Sequence, residues 1–166
     1  MVPHRMFIGV VLAAVTALTA AGCSPPFPRD LMDKVDRGVA FAEVQKDPKA
    51  HAGKLLMLGG MIVETKNLRQ GTRIEVLQKP LDGQGQPELT DATGGRFLVL
   101  TTQFLDGAVY HRGRMITVVG EVAPPQVLPL GEAEYRYPVL SAKSLHLWAP
   151  YTGPRFSIGI GVYHGF

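Results

Sequence analysis

The first 23 residues constrain this chain more than any other stretch. A basic start with His4 and Arg5 precedes the apolar run Phe7-Ile8-Gly9-Val10-Val11-Leu12-Ala13-Ala14-Val15. The small residues Ala20-Ala21-Gly22 then lead to Cys23. A cationic segment, an apolar segment of about 7–15 residues and a small-residue cleavage site make up a secretory signal peptide. A transmembrane anchor needs about 18 or more consecutive apolar residues, and this run is shorter and broken by Thr16 and Thr19. Residues 1–22 are therefore expected to be removed. The remainder is about one domain long and can bury a usable core.

Cys23 turns the expectation from secretion to lipidation. Small side chains let a peptidase approach the scissile bond, and the thiol can carry a thioether-linked lipid, with palmitate among the expected acyl groups. The pattern resembles a bacterial lipoprotein, although Ala20 stands where leucine is more frequent. Ser24, and not Asp, follows the cysteine, which in the enterobacterial sorting rule favours export to the outer membrane. Cys23 is the only cysteine, so once acylated it leaves no disulfide framework and no thiolate metal site. The formal charge is +3 and Arg5 departs with the leader. The remaining charges are scattered, with no like-charge block of the kind that marks a nucleic-acid footprint. The expected partner is the membrane, through the lipid; no nucleic acid, cofactor or metal is expected.

Residues 23–29 hold Pro25, Pro26 and Pro28. Proline fixes the backbone and removes amide donors, which suits an extended tether. Leu31, Val35, Val39 and Ala42 recur near helical spacing and predict a helix over 30–46, with Asp30 as N-cap and Gly38 its weakest interior position. Asp47-Pro48 ends it, because a residue before proline is pushed out of the helical region.

From residue 54 the pattern becomes extended. Residues 54–64 are apolar on both alternations, with a sharp bend expected at Gly59-Gly60. Residues 72–79 alternate, with Thr72, Ile74 and Val76 on one face and Arg73 and Glu75 on the other. A polar, glycine-punctuated loop follows over 80–95. Residues 97–102 form a third strand and 103–109 a short helical segment. Residues 115–122 make a fourth strand, ending before Pro124-Pro125, and residues 139–148 a fifth. The expected fold is mainly β: a small OB-like five-stranded Greek-key barrel with an N-terminal helix, over residues 30–150. Strands this apolar would aggregate as an open sheet. A two-sheet sandwich is the alternative.

Several strings along this domain have a familiar order: Leu58-Gly59-Gly60-Met61-Ile62, Ile74-Glu75-Val76-Leu77-Gln78-Lys79-Pro80-Leu81-Asp82, and Gly95-Arg96-Phe97 with Phe104-Leu105-Asp106. Ile116-Thr117-Val118-Val119-Gly120-Glu121-Val122 and Leu145-His146-Leu147-Trp148 follow. Taken with the leader, the set resembles the Slp-type, starvation-inducible outer-membrane lipoproteins. The resemblance spans about residues 41–148. It implies an outer-membrane lipoprotein facing the periplasm and brings no catalytic residues with it.

Chemistry-bearing motifs are sparse. His51, His111, His146 and His164 are spread out, with no i, i+4 pair and no HExxH spacing. His111 and Asp106 share one loop and could approach each other. Ser141 and Ser144 lack a G-x-S-x-G context. Glu132 and Glu134 belong to the loop before the last strand, where solvated charges outnumber acid–base pairs. Tyr135, Tyr137 and Trp148 are the candidate ligand-binding residues, since aromatic faces stack on sugars and peptides. No catalytic residue is assigned. The glycine-rich stretch 151–166 alternates apolar residues with Gly and Ser, and Gly159-x-Gly161 lacks the third glycine of a nucleotide loop. It is expected to add to a sheet edge or lie at the membrane surface, because one strand cannot satisfy its backbone in lipid. Two functions fit: a non-enzymatic envelope lipoprotein with a structural or stress-related role, or a periplasm-facing module binding a sugar, peptide or protein partner.

Overall fold

A computed structural model describes residues 26–150 of the chain; the expected leader, Cys23 and the rest of 1–25, and the 151–166 stretch, lie outside the described residues. Five strands form one ring: β1 (Leu55–Leu68), β2 (Gly71–Gln78), β3 (Arg96–Thr101), β4 (Met115–Leu130) and β5 (Ala133–Leu147). The order β1-β2-β3-β5-β4 closes back onto β1. All pairings are antiparallel except β3 with β5, which run parallel over three residue pairs. The mainly β expectation holds, and the two-sheet sandwich does not.

The expected bend at Gly59-Gly60 is where β1 changes partners. Its first half, from Leu55 to Met61, pairs with β4, and from Gly60 onward it pairs with β2. A Cβ on Gly60 would run into the Leu77 carbonyl, so only glycine lets β2 approach so closely. A register shift between Ile62 and Glu64 leaves Val63 as a bulge just beyond the handover.

Inside the ring, Leu56, Leu58, Ile62, Ile74, Val76, Phe97, Val99, Ile116, Val118 and Leu140 pack into one core. Each strand supplies alternate residues to it, as the two-residue period of a strand requires. Phe41 and Val44 from α2 (Phe41–Lys46) cap the end where β2 finishes and β3 begins, with the Phe41 and Phe97 rings 5.9 Å apart. Leu105 plugs the opposite end, where its N–H donates to the Thr72 hydroxyl at 3.0 Å.

A second, smaller core lies outside the ring. The far halves of β4 and β5 form a long hairpin beside β3, so that Tyr137 packs with Leu98 and its ladder partner Val139. Leu98, Val99 and Leu140 are therefore buried together although consecutive residues face opposite sides. A strand covered on both faces reads as a continuous apolar run.

Four expectations are corrected. The helix over 30–46 is two short ones, α1 (Arg29–Met32) and α2, because Asp36 accepts from the Gly38 N–H at 3.0 Å and donates its own N–H to the Leu55 carbonyl. Asp30 is not a cap: Pro28 holds that position without a side-chain acceptor, and the capping aspartate is Asp47, on the Lys49 and Ala50 amides of a 3-10 turn at Pro48–His51. The 103–109 segment is a turn, held by the Asp106 carboxylate accepting from Ala108 N–H at 2.8 Å. Finally, β4 passes through Pro124-Pro125 and β5 starts at Ala133, so Glu134 lies on a strand. The ladder shifts register between Ala123 and Gln126, and the prolines sit in that irregularity, where no ladder N–H is required.

Candidate functional site

A polar groove of about 510 Å³ crosses the outer face of β1, β2 and β3. Its floor follows from strand alternation. With Ile74 and Val76 turned inward, Glu75 must point outward, and so must Glu64, its direct partner on β1. Two carboxylates opposite each other repel. Here each has its own cation: Lys66 Nζ lies 3.0 Å from Glu64, and Arg96 Nη1 lies 2.6 Å from Glu75.

The wall is the 107–112 loop. The Val63 bulge exposes a carbonyl that accepts from Arg112 Nε at 3.1 Å, and Thr65 Oγ1 donates to the Tyr110 carbonyl at 2.7 Å. These two bonds set Tyr110, His111 and Arg112 along the groove. His111 Nδ1 lies 2.8 Å from the Arg112 carbonyl. A carbonyl can only accept, so Nδ1 carries the proton and, in the neutral ring, Nε2 is the acceptor.

Glu75 is the electrostatic centre. Its Oε1 accepts from Arg96 and, at 3.2 Å, from the Tyr137 hydroxyl. The Arg96 guanidinium is held above its ordinary range chiefly by that bond to Glu75. The Tyr137 phenol is also raised, first by burial and then by the neighbouring carboxylate. The groove thus offers guanidinium and imidazole edges, a tyrosine rim and a carboxylate already engaged. That set can hydrogen-bond a polar ligand. Among the described residues, no group of three His, Cys, Asp or Glu could hold a metal ion.

The structure separates the three aromatic candidates. Tyr135 and Tyr137 touch edge to face at 4.6 Å, but Tyr137 is only 1% exposed and packs in the outer core. The Tyr135 hydroxyl is occupied by Gln45 Nε2 at 2.8 Å and the Arg96 N–H at 3.1 Å. Trp148 lies at the start of β4, next to Met115, whereas Tyr137 pairs with Gln126 further along that strand. The indole donates to Thr117 Oγ1 at 2.9 Å and stacks edge-on with His146. His111 and Asp106 do share a loop, but His111 Nδ1 and Asp106 Oδ1 turn to backbone and not to each other, and Glu132 and Glu134 are exposed at the hairpin tip. Cys23 lies outside the described residues.

Glu75 and Arg96 escaped the sequence reading as site residues. The available signal was the outward alternation of Arg73 and Glu75. What it lacked was the identity of the neighbouring strands.

Comparison with known proteins agrees on one family. A family model described as "Outer membrane lipoprotein Slp family" matches residues 20–159. The chain is 27% identical to "Uncharacterized lipoprotein YeaY" of Escherichia coli (strain K12), over 89% of this chain and 76% of that protein. It is 24% identical to "Outer membrane protein Slp" of the same organism, over 87% and 76% of the two chains. An "Uncharacterized protein" of Haemophilus influenzae is 30% identical, over 76% of this chain and 69% of its own length. Among solved structures, a small single-stranded DNA-binding protein from Streptomyces coelicolor aligns at 15% identity and a TM-score of 0.36, covering 57% of this chain and 92% of that one. A likeness that weak carries no argument. The family match takes in most of the chain, including the whole ring, and the protein is a member of the outer membrane lipoprotein Slp family.

Proposed function

We propose that this protein is a lipid-anchored, non-enzymatic component of the outer membrane, facing the periplasm, with a structural or stress-related role in the envelope. The leader at 1–22 is removed, Cys23 is acylated, and an OB-type Greek-key barrel hangs from the proline-rich tether at 23–29. The observation that carries this reading is the family match. It begins at residue 20, so it takes in the small residues and the cysteine that a lipoprotein signal peptidase requires as well as the barrel. The parallel β3–β5 pair that closes the ring supports the barrel type. The non-enzymatic part is supported by Glu75 being held by Arg96 and Tyr137, and by Asp106 Oδ1 and His111 Nδ1 turning to backbone and not to each other.

The test is Cys23→Ser. Each buried acyl CH₂ contributes about 0.8 kcal/mol, so two or three chains hold the domain where one would be marginal. The variant is expected to leave the membrane fraction. Cys23→Ser protein that still pellets after a salt wash overturns the anchor.

The second reading, a module for a sugar, peptide or protein partner, is favoured by the groove of Tyr110, His111, Arg112, Glu75 and Arg96. Crosslinking in intact cells from a photoreactive residue at position 111, followed by mass spectrometry, should yield a specific adduct if it is correct. A label that reacts with bulk envelope proteins alone would remove it.

A further inference from the structure

Five large hydrophobic side chains are exposed among the described residues: Leu68, Leu89, Phe104, Val109 and Val127. Scattered singly, such residues need no explanation. Leu89 and Val127 are of that kind, one in the loop after β2 and one on the β4–β5 hairpin. The other three belong to one end of the barrel. Leu68 is 47% exposed at the tip of the β1–β2 hairpin, and Phe104 and Val109 are 76% and 46% exposed in the β3–β4 loop.

Hydrogen bonds lock that hairpin and that loop together. Asn67 Nδ2 donates to the Leu105 carbonyl at 3.1 Å, Thr65 Oγ1 donates to the Tyr110 carbonyl, and the buried Thr72 hydroxyl accepts from Leu105 N–H. The rim is therefore built, with the phenylalanine turned outward while its neighbour Leu105 plugs the core.

The tether arrives at the same end. One guanidinium, that of Arg114, donates to the Val109 carbonyl at 3.2 Å and to the Trp148 carbonyl at 2.8 Å. The Trp148 ring stacks on His146 at 4.4 Å, and His146 meets Phe27 at 6.2 Å. Phe27 is 3% exposed, so the described chain starts packed against the end of β5, where the next residue, Trp148, shares the Arg114 guanidinium with Val109 of the rim. Only three peptide steps separate Pro26 from Cys23, a reach of at most about 11 Å.

The charges on the rim suit a lipid surface. Arg69 and Arg112 are exposed there. The 102–114 loop has one acidic residue, Asp106, against Arg112 and Arg114, and Glu64 is paired with Lys66, so the rim is net positive. Apolar side chains flanked by guanidinium groups that can reach headgroup phosphates are the make-up of an interfacial surface.

We propose that Phe104, Val109 and Leu68 form a membrane-contact rim, which enters the headgroup–acyl boundary of the bilayer that holds the lipid on Cys23. This rests on the anchor reading above. The lipid supplies attachment and the rim supplies orientation: the barrel stands on its Leu105 end, with α2 and the β4–β5 hairpin pointing away from the membrane.

The test uses full-length lipidated protein in vesicles of phosphatidylethanolamine and phosphatidylglycerol. Phe104→Cys, Val109→Cys, Leu89→Cys and Val127→Cys are each labelled with a polarity-sensitive thiol dye, because an acylated Cys23 leaves the introduced thiol as the only one. On reconstitution the dyes at 104 and 109 are expected to shift to the blue, lose quenching by aqueous iodide and gain quenching by brominated acyl chains. Those at 89 and 127 should do none of these. Equal iodide quenching at all four sites overturns the rim and leaves the anchor standing. Shielding at 104 without acyl-chain quenching also overturns it, in favour of a protein contact. Dye incorporation into the unsubstituted chain would mean a free Cys23 thiol and would remove the anchor and the rim together.

Discussion

Glu75 and Arg96 are diagonal neighbours across β2 and β3 and not direct partners: Glu75 stands opposite Leu98 and Arg96 opposite Leu77, yet their side chains meet at 2.6 Å. The pair is half-buried beside the β4–β5 hairpin and shares its carboxylate with Tyr137. Removing the cation in Arg96→Gln leaves Glu75 facing Glu64. A hydrogen bond to a charged group contributes about 1.5–3 kcal/mol, and that loss is expected in urea unfolding. Lys143→Gln breaks an exposed pair with Glu121 and should cost at most about 1 kcal/mol. Equal losses would mean that burial beside the hairpin adds nothing.

Tyr137 makes a contribution to stability that is lost at alkaline pH. Its folded pKa is raised above the ordinary tyrosine value of 10.0, so the neutral phenol is favoured in the folded state. The unfolded chain loses this proton first. The contribution is therefore whole below pH 10.0 and is lost as pH rises through the raised folded value. Tyr137→Phe keeps the ring in the outer core and is expected to cost about 0.5–1.5 kcal/mol near neutrality. The gap between variant and wild type should then narrow above pH 10.0, because the phenylalanine cannot ionise. Thermal melts across that range give the answer; a constant gap would remove the argument.

Thr72 joins the β1–β2 hairpin to the loop that plugs the barrel. The residue is 2% exposed, and its hydroxyl accepts from Leu105 N–H and lies 2.7 Å from Asn67 Oδ1 and 2.9 Å from the Gln103 carbonyl. Thr72→Val keeps the shape and orphans a buried N–H. The expected loss is about 1–3 kcal/mol, with faster amide exchange at Leu105. Unchanged exchange there would show that the plug is held by packing alone.

Gly60→Ala tests ring closure. The added methyl would meet the Leu77 carbonyl, backbone that cannot swing away. Overpacking of a core costs about 1–3 kcal/mol or more. Gly83→Ala, where a Cβ meets nothing within 4 Å, should stay within about 0.5 kcal/mol. Midpoints of chemical unfolding compare the two directly, and similar midpoints would mean that β2 can give way at Leu77.

Local patterning reached as far as the elements whose neighbours it implied. The alternation of Thr72, Ile74 and Val76 against Arg73 and Glu75 placed β2 within a residue, and Gly59-Gly60 marked the point where β1 changes partners. Pro124-Pro125 misled, because a proline's missing donor ends a strand only if the ladder needs that donor, and the register shift there removes the need. The 103–109 segment misled likewise: its backbone is claimed by Thr72, Asn67 and Asp106, and two of these come from another part of the chain.

The sequence by itself determined that an apolar stretch and small residues precede a single cysteine, that apolar strands follow, and that charges face outward on β2. These are local properties, set by the two-residue period of a strand and by residue type. Only the tertiary structure decided which outward charges meet, since Glu75 and Arg96 find each other through a diagonal between strands 21 positions apart in sequence. It also decided that Tyr137 is buried while Trp148 stays at the far end of β4. Closure of the ring and the packing of the hairpin beside β3 are long-range pairings, and no spacing along the chain records the distance between their partners.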